Sequence, residues 1–221
     1  MLSDGKTNPK RHWRIFLDNP EFRSFDNYFQ YKDQFPHLDW DTDTGWGWLP
    51  PNDEVFDAFR YVAKHIQPQV IFEIGYYRGH STSYLAHLME DATIISCCPD
   101  HPKFAESHRK VRKEYDSRVT VLGIKSPEIV EHMFPAIDFA FIDGNHGVGE
   151  VFTDISVCTR FSVPWIMCDN TDLGSVQKGI EYYIRHGILE KVSSWKYTGI
   201  NKDKRKVNEM TLYKNIGGKV L

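Results

Sequence analysis

An α/β fold built on a mostly parallel sheet is what this sequence predicts, and three observations predict it. Short apolar runs alternate with stretches of helical apolar spacing from residue 55 onward. The first run, Val70-Ile-Phe-Glu-Ile74, leads directly into a glycine turn and a helix start, Gly75-Tyr-Tyr-Arg-Gly-His-Ser-Thr82. Polar residues collect just after each run, where sheets of this kind keep their ligands. Strands alternating with helices form right-handed crossovers and a parallel sheet.

Each element has its own warrant. Val55, Phe59, Val62 and Ile66 recur at helical spacing and stop before Pro68. Val70–Ile74 is nearly continuous apolar sequence, as expected of a strand buried on both faces. Tyr84, Leu85 and Leu88 mark the helix after it, and Thr93–Cys97 reads as the second strand. Pro102 suits a helix first turn, continued by Phe104, His108, Val111 and Tyr115. Val119–Leu122 is the third strand, and Ser126-Pro127 opens a short helix. Phe139–Ile142 and Trp165–Cys168 are the fourth and fifth strands, separated by a helix carrying Val151, Phe152 and Ile155. Ser175 is expected to cap a helix with Val176, Ile180, Tyr183 and Ile184, closed by Gly187. Val192–Tyr197 and Glu209–Tyr213 read as two last strands joined by a charged loop.

Residues 1–50 differ from the rest. They are rich in aromatics and poor in aliphatics, and Pro50-Pro51 mark their end. The expected organisation is an N-terminal cap or lid over 1–50 and a ligand-binding domain over 51–221. Trp40, Trp46 and Trp48 read equally as a lid over a planar or sugar substrate and as a plug on the core.

Composition narrows the function classes. The 221 residues, 41% of them hydrophobic, suit one core domain with an extension. A net charge of −3 with dispersed charges argues against a partner held by its phosphates, so no nucleic acid is expected. Arg109–Lys113 and Lys202–Lys206 read as a solvated helix face and a solvated loop. No run reaches the roughly twenty apolar residues of a membrane span, and residues 1–6 hold no apolar signal core. Cys97, Cys98, Cys158 and Cys168 include no CxxC pair and read as reduced, which implies a cytoplasmic setting.

The turn after the first strand says what the site can hold. Its glycines let backbone approach a ligand, and the helix start offers free N–H groups and partial positive charge to an anion. The dinucleotide fingerprint needs glycine at the third and sixth positions from Gly75, where this chain has Tyr77 and His80. After the second strand come Cys98 and Asp100, after the third Gly123 and Ser126, after the fourth Asp143, Asn145 and His146, and after the fifth Asp169, Asn170 and Asp172. If the fourth and fifth strands are neighbours, Asp143, Asp169 and Asn170 converge. Two carboxylates and an amide suit a hard cation such as Mg²⁺. From the residues alone, Asp143 and Asp169 read equally well as helix or turn caps.

The pattern Glu-x-Gly-x-x-x-Gly-x-Ser resembles motif I of S-adenosylmethionine (SAM) dependent methyltransferases. Residues 70–185 resemble the catechol O-methyltransferase type of class I methyltransferase, and more closely the bacterial small-molecule enzymes that act on macrolide sugars. The resemblance rests on Phe72-Glu-Ile-Gly-Tyr-Tyr-Arg-Gly79, Phe141-Ile-Asp-Gly-Asn-His146, and Cys168-Asp-Asn-Thr-Asp172 with Gly174-Ser-Val-Gln-Lys-Gly179. It implies a Rossmann-like methyltransferase sandwich whose seven-stranded sheet ends in an antiparallel strand. It implies SAM at Glu73, Gly75, Tyr77, Gly79, Ser81, Asp100, Ser126 and Asp143, and Mg²⁺ at Asp143, Asp169 and Asn170. His146 is implied as the base, working with Asp143 on a small molecule with one or two hydroxyls. Tyr76 or Tyr77 would face the sulfonium or simply pack. One departure stands out: the family's ribose-binding acid is here Cys98, with Asp100 two residues on. A non-catalytic scaffold and a hydroxylase-like relative on the same frame are the alternatives, and a homo-oligomer is left open.

Overall fold

The structure, a computed structural model, describes residues 33–38, 40, 49–99, 105–129, 136–201 and 204–217. Its centre is one seven-stranded sheet, in the order β3 (Val119–Leu122), β2 (Thr93–Cys97), β1 (Val70–Ile74), β4 (Phe139–Ile142), β5 (Trp165–Cys168), β7 (Lys204–Asn215), β6 (Leu189–Asn201). The first five pair in parallel, and β7 is antiparallel to both its neighbours. The chain builds outward from β1 to β3, then crosses back to lay β4 on the other side of β1. That reversal opens a crevice at the carboxyl ends of β1 and β4, where open α/β sheets bind ligands.

The helices are α1 (Asp53–His65), α2 (His80–Leu88), α3 (Ala105–Tyr115), α4 (Val148–Arg160) and α5 (Gly174–Arg185). Side chains alternate across each strand, so each strand feeds two cores. Ile71, Ile94, Phe139, Phe141 and Met167 pack beneath α1 and α2, with Val55, Phe59, Tyr84 and Leu85. Phe72, Ile74, Ile95, Ile142 and Ile166 pack on the other face, with Val151 and Ile155 of α4 and Val176 and Ile180 of α5. Helix α1 begins where Asn52 accepts the Val55 N–H, with Asp53 and Glu54 in the dipole-favoured first turn. Arg109, Lys110, Arg112 and Lys113 lie on the exposed face of α3.

Two elements differ from expectation. Helix α5 starts at Gly174 rather than after Ser175, because the turn following β5 begins it early: Leu173 N–H donates to the Asn170 carbonyl, and Gln177 N–H to the Leu173 carbonyl. The charged stretch expected as a loop between the last strands is ladder. β6 and β7 pair from Leu189↔Asn215 to Asn201↔Lys204, so Lys204–Lys206 belong to a strand. Opposed charges face one another across it, as in the pair Lys196↔Glu209. β5 stops at Cys168, opposite Thr211, and the hairpin continues beyond it through Tyr197↔Asn208. The hairpin therefore overhangs the carboxyl rim of the sheet.

Of the N-terminal region, Phe35, Leu38, Trp40 and Leu49 are described, and all are buried in the α1–α2 core. Trp40 donates its indole N–H to the Phe35 carbonyl and sets its ring edge-on to His80. This residue plugs the core; Trp46, Trp48, Pro102 and Phe104 lie outside the described residues. Cys97, Cys158 and Cys168 are buried and unbridged, Cys98 is half-buried and unbridged, and no described helix is long and apolar enough to cross a membrane.

Candidate active site

The turn after β1 is shaped by backbone contact. Gly75 has φ +112°, and a Cβ there would meet the Asp143 carbonyl oxygen at 2.1 Å. Only glycine lets β1 and the end of β4 approach this closely. Tyr77 follows in the left-handed region at φ 44°, and Gly79 at φ +79° precedes α2. Tyr76 is buried, lies under Gly79 and meets His108 edge-on, so it packs. Tyr77 stays half-exposed with the Arg78 guanidinium over its ring. Glu73 is fully buried, and its carboxylate accepts hydrogen bonds from Ser81, Thr82 and Ser96. Burial pushes its pKa up and the three hydroxyls pull it down. Glu73 therefore reaches the site through the first turn of α2.

The rim after β4 and β5 is built differently. Ile142 pairs with Cys168, so Asp143 and Asp169 leave adjacent strands side by side. Asp143 N–H donates to the Ile74 carbonyl and Asp169 N–H to the Ile142 carbonyl, which extends the ladder one step past both strands. The two carboxyls lie near enough for each to bear on the other's protonation. Burial, then the charge of Glu73, pushes Asp143 up to about 8. Burial, then the charge of Asp143, raises Asp169 well above the ordinary aspartate range. Tyr197 donates to both Asp169 oxygens, at 2.7 and 2.9 Å. Asn170 sits in the left-handed region at φ 54°, and its amide nitrogen lies 3.4 Å from the Tyr197 oxygen. His146 Nε2 is 3.5 Å from Asp143 Oδ1 and has no hydrogen-bond partner among the described residues. Burial lowers the His146 pKa below 6.5.

Asp143, Asp169, Asn170 and His146 thus gather at the ends of β4 and β5, with Gly75 packed on the Asp143 backbone. Ser126 is buried and donates to Asp154 of α4. Asp100 lies outside the described residues. Sequence reasoning missed Tyr197, Asp154 and the Ser96 hydroxyl. Asp154 carries a signal, since it interrupts the apolar face of α4 between Val151 and Ile155. Tyr197 carries none, because an aromatic in a strand reads as core. Among the described residues no three histidine, cysteine or carboxylate side chains converge as a metal cage. The set that does converge is two acids and an amide. Two abutting carboxylates of raised pKa, with an amide beside them, match the donor chemistry of a hard divalent cation.

Residues 72–170 match a family model described as a methyltransferase domain. Over that stretch the chain is similar to a methyltransferase domain. No curated protein matches the sequence. Solved structures resemble this chain in fold. An O-methyltransferase from Bacillus cereus, in complex with SAH, is 15% identical with a TM-score of 0.64, covering 92% of this chain and 96% of that one. The O-methyltransferase TomG from Streptomyces achromogenes, involved in tomaymycin synthesis and in complex with SAM, is 19% identical with a TM-score of 0.59, covering 98% and 100%. Precorrin-6y C5,15-methyltransferase from Geobacter metallireducens is also 19% identical, with a TM-score of 0.58, covering 81% and 97%. Proteins named for different reactions thus share this fold, and the fold alone chooses none of them for this chain.

Proposed function

We propose that this protein transfers the methyl group of SAM to a hydroxyl of a small molecule, with a divalent cation such as Mg²⁺ bound at Asp143, Asp169 and Asn170. The observation that carries the reading is the meeting of Asp143, Asp169, Asn170 and His146 at the ends of β4 and β5, beside the glycine turn. Bound SAM supplies an electrophilic methyl group. A bound cation supplies Lewis-acid polarisation of the acceptor hydroxyl. The chain does the rest. Gly75, Tyr77 and Gly79 admit the cofactor, and the free backbone N–H groups at the start of α2, that of Ser81 among them, meet its carboxylate. Glu73 holds that helix start in place through Ser81 and Thr82. His146, uncharged at neutral pH because burial lowers its pKa, takes the acceptor proton. Alignment of donor and acceptor supplies most of the rate.

Calorimetry with SAM, and turnover on a panel of hydroxylated sugars and phenols with Mg²⁺ or EDTA, test this. SAM is expected to bind, EDTA to abolish turnover, and Asp143→Asn to lower it by about 100-fold or more at unchanged fold. Turnover untouched by EDTA would end the metal reading. A second reading, a scaffold without catalysis, is favoured by Cys98 standing where the resembled family has its ribose-binding acid. It predicts no heat from SAM with or without Mg²⁺.

A further inference from the structure

We propose that Tyr197 is a positioning residue whose single hydroxyl sets the facing of two neighbouring donors, Asp169 and Asn170, from outside the strands that carry them. This rests on the metal reading above. Tyr197 lies on β6, the edge strand, which does not touch β5 directly. It reaches the rim only because the hairpin continues past the end of β5.

The assignment follows from counting hydrogens. A phenol has one proton to give and oxygen lone pairs to receive. The proton is spent on Asp169, whose two oxygens lie 2.7 and 2.9 Å from it. The Tyr197 oxygen can then only accept from Asn170, and the partner at 3.4 Å is the amide nitrogen. With its nitrogen turned toward Tyr197, Asn170 turns its oxygen, the atom that binds cations, the other way. One hydroxyl thereby fixes the plane of the carboxylate and selects the face of the amide. Asparagine suits the turn, since it tolerates the left-handed region that its backbone occupies at φ 54°.

The surrounding loop is fastened to the same hairpin. Thr171 N–H donates to the Glu209 carbonyl, and Thr171 Oγ1 pairs with Thr211 Oγ1. Asp172 accepts the Glu209 N–H and meets Lys206 at 3.2 Å. Residues 169–172 are thus held as a unit by β6 and β7, and Tyr197 is the hairpin contact that acts on the donors themselves. Groups placed behind metal ligands in this way typically change metal affinity by about 10- to 100-fold when removed.

Tyr197→Phe keeps the buried ring and deletes the hydroxyl. Mn²⁺ titration followed by electron paramagnetic resonance reads the site without substrate. Wild type is expected to bind, and Tyr197→Phe to bind about 10-fold more weakly, with SAM binding unchanged. In turnover, the Mg²⁺ concentration for half-maximal rate should rise more than kcat falls. Equal Mn²⁺ affinity in wild type and variant would overturn the positioning role and leave the metal reading standing. No Mn²⁺ binding to wild type would overturn both. Should the variant fail to fold, 3-fluorotyrosine placed at 197 keeps ring and hydroxyl. Its fluorine resonance is expected to move on Mg²⁺ addition, and a resonance that stays put would overturn the role.

Discussion

Glu73 of β1 and Asp169 beyond β5 are both buried acids at the carboxyl end of one sheet, and their surroundings treat them in opposite ways. Glu73 is ringed by the hydroxyls of Ser81, Thr82 and Ser96. Asp169 faces another acid, Asp143, and is eased only in part by the Tyr197 phenol and the Asn170 backbone N–H. The first arrangement satisfies a buried polar group inside the protein, as folding stability requires. The second leaves two acids competing for one proton, which costs stability unless something positive arrives. On the proposed function, the difference separates an acid that holds the scaffold from acids kept for a ligand.

The largest expected effect comes from the point joining the two regions. Gly75→Ala would drive a methyl into the Asp143 carbonyl, at a φ that alanine disfavours. Neither backbone can yield without breaking the β1–β4 ladder, so about 4 kcal/mol or more of stability should be lost. Loss of soluble, folded protein, or a fall in Tm of about 8–16 °C or more, checks it. A variant melting like wild type would mean that the glycine turn and the Asp143 rim are not coupled.

Next comes Glu73→Leu, which leaves buried hydroxyls without their acceptor. Each unsatisfied group costs about 1–3 kcal/mol, so a loss of about 3–5 kcal/mol is expected. Thermal melting should show a Tm lower by roughly 10 °C. Asp143→Asn, by contrast, removes one of two competing acids and should melt no lower than wild type in EDTA. If both variants lose stability equally, the distinction between scaffold acid and ligand acid fails.

The parallel half of the sheet was legible because buried strands must be apolar and must be punctuated. Val70–Ile74, Thr93–Cys97, Phe139–Ile142 and Trp165–Cys168 carry those marks, and their predicted bounds match the observed ones. The meeting of Asp143 with Asp169 followed once β4 and β5 were neighbours. The hairpin was not legible at its true length. Its outer stretch is polar and basic in sequence, through Lys204, Arg205 and Lys206, and an edge ladder needs no apolar run to persist. Tyr197 was hidden with it, since its reach depends on how far the hairpin overhangs β5. Tyr76 and Tyr77 could not be told apart in sequence. The turn places one ring inside the core and the other at the rim, and that choice lies in the left-handed backbone at Tyr77.

Asp154 offers the smallest and sharpest test, because it stands between the two extremes. It is buried on α4 and has one hydroxyl partner, Ser126. Burial raises its pKa from the ordinary 3.8 to about 6, and the Ser126 bond pulls it partway back. The unfolded chain therefore gives up this proton first as pH rises. Between pH 3.8 and about 6 the folded state holds the extra proton, so this site's contribution to stability falls across that window and is fully unfavourable above it. Asp154→Asn cannot titrate, so the Tm difference between variant and wild type should move in the variant's favour from pH 4 to pH 7. Ser126→Ala removes the compensating bond and should shift the midpoint of the wild-type trend to higher pH. A difference that stays flat over that range would show that Asp154 is satisfied as fully as Glu73, and the gradation from scaffold acid to ligand acid would lose its middle step.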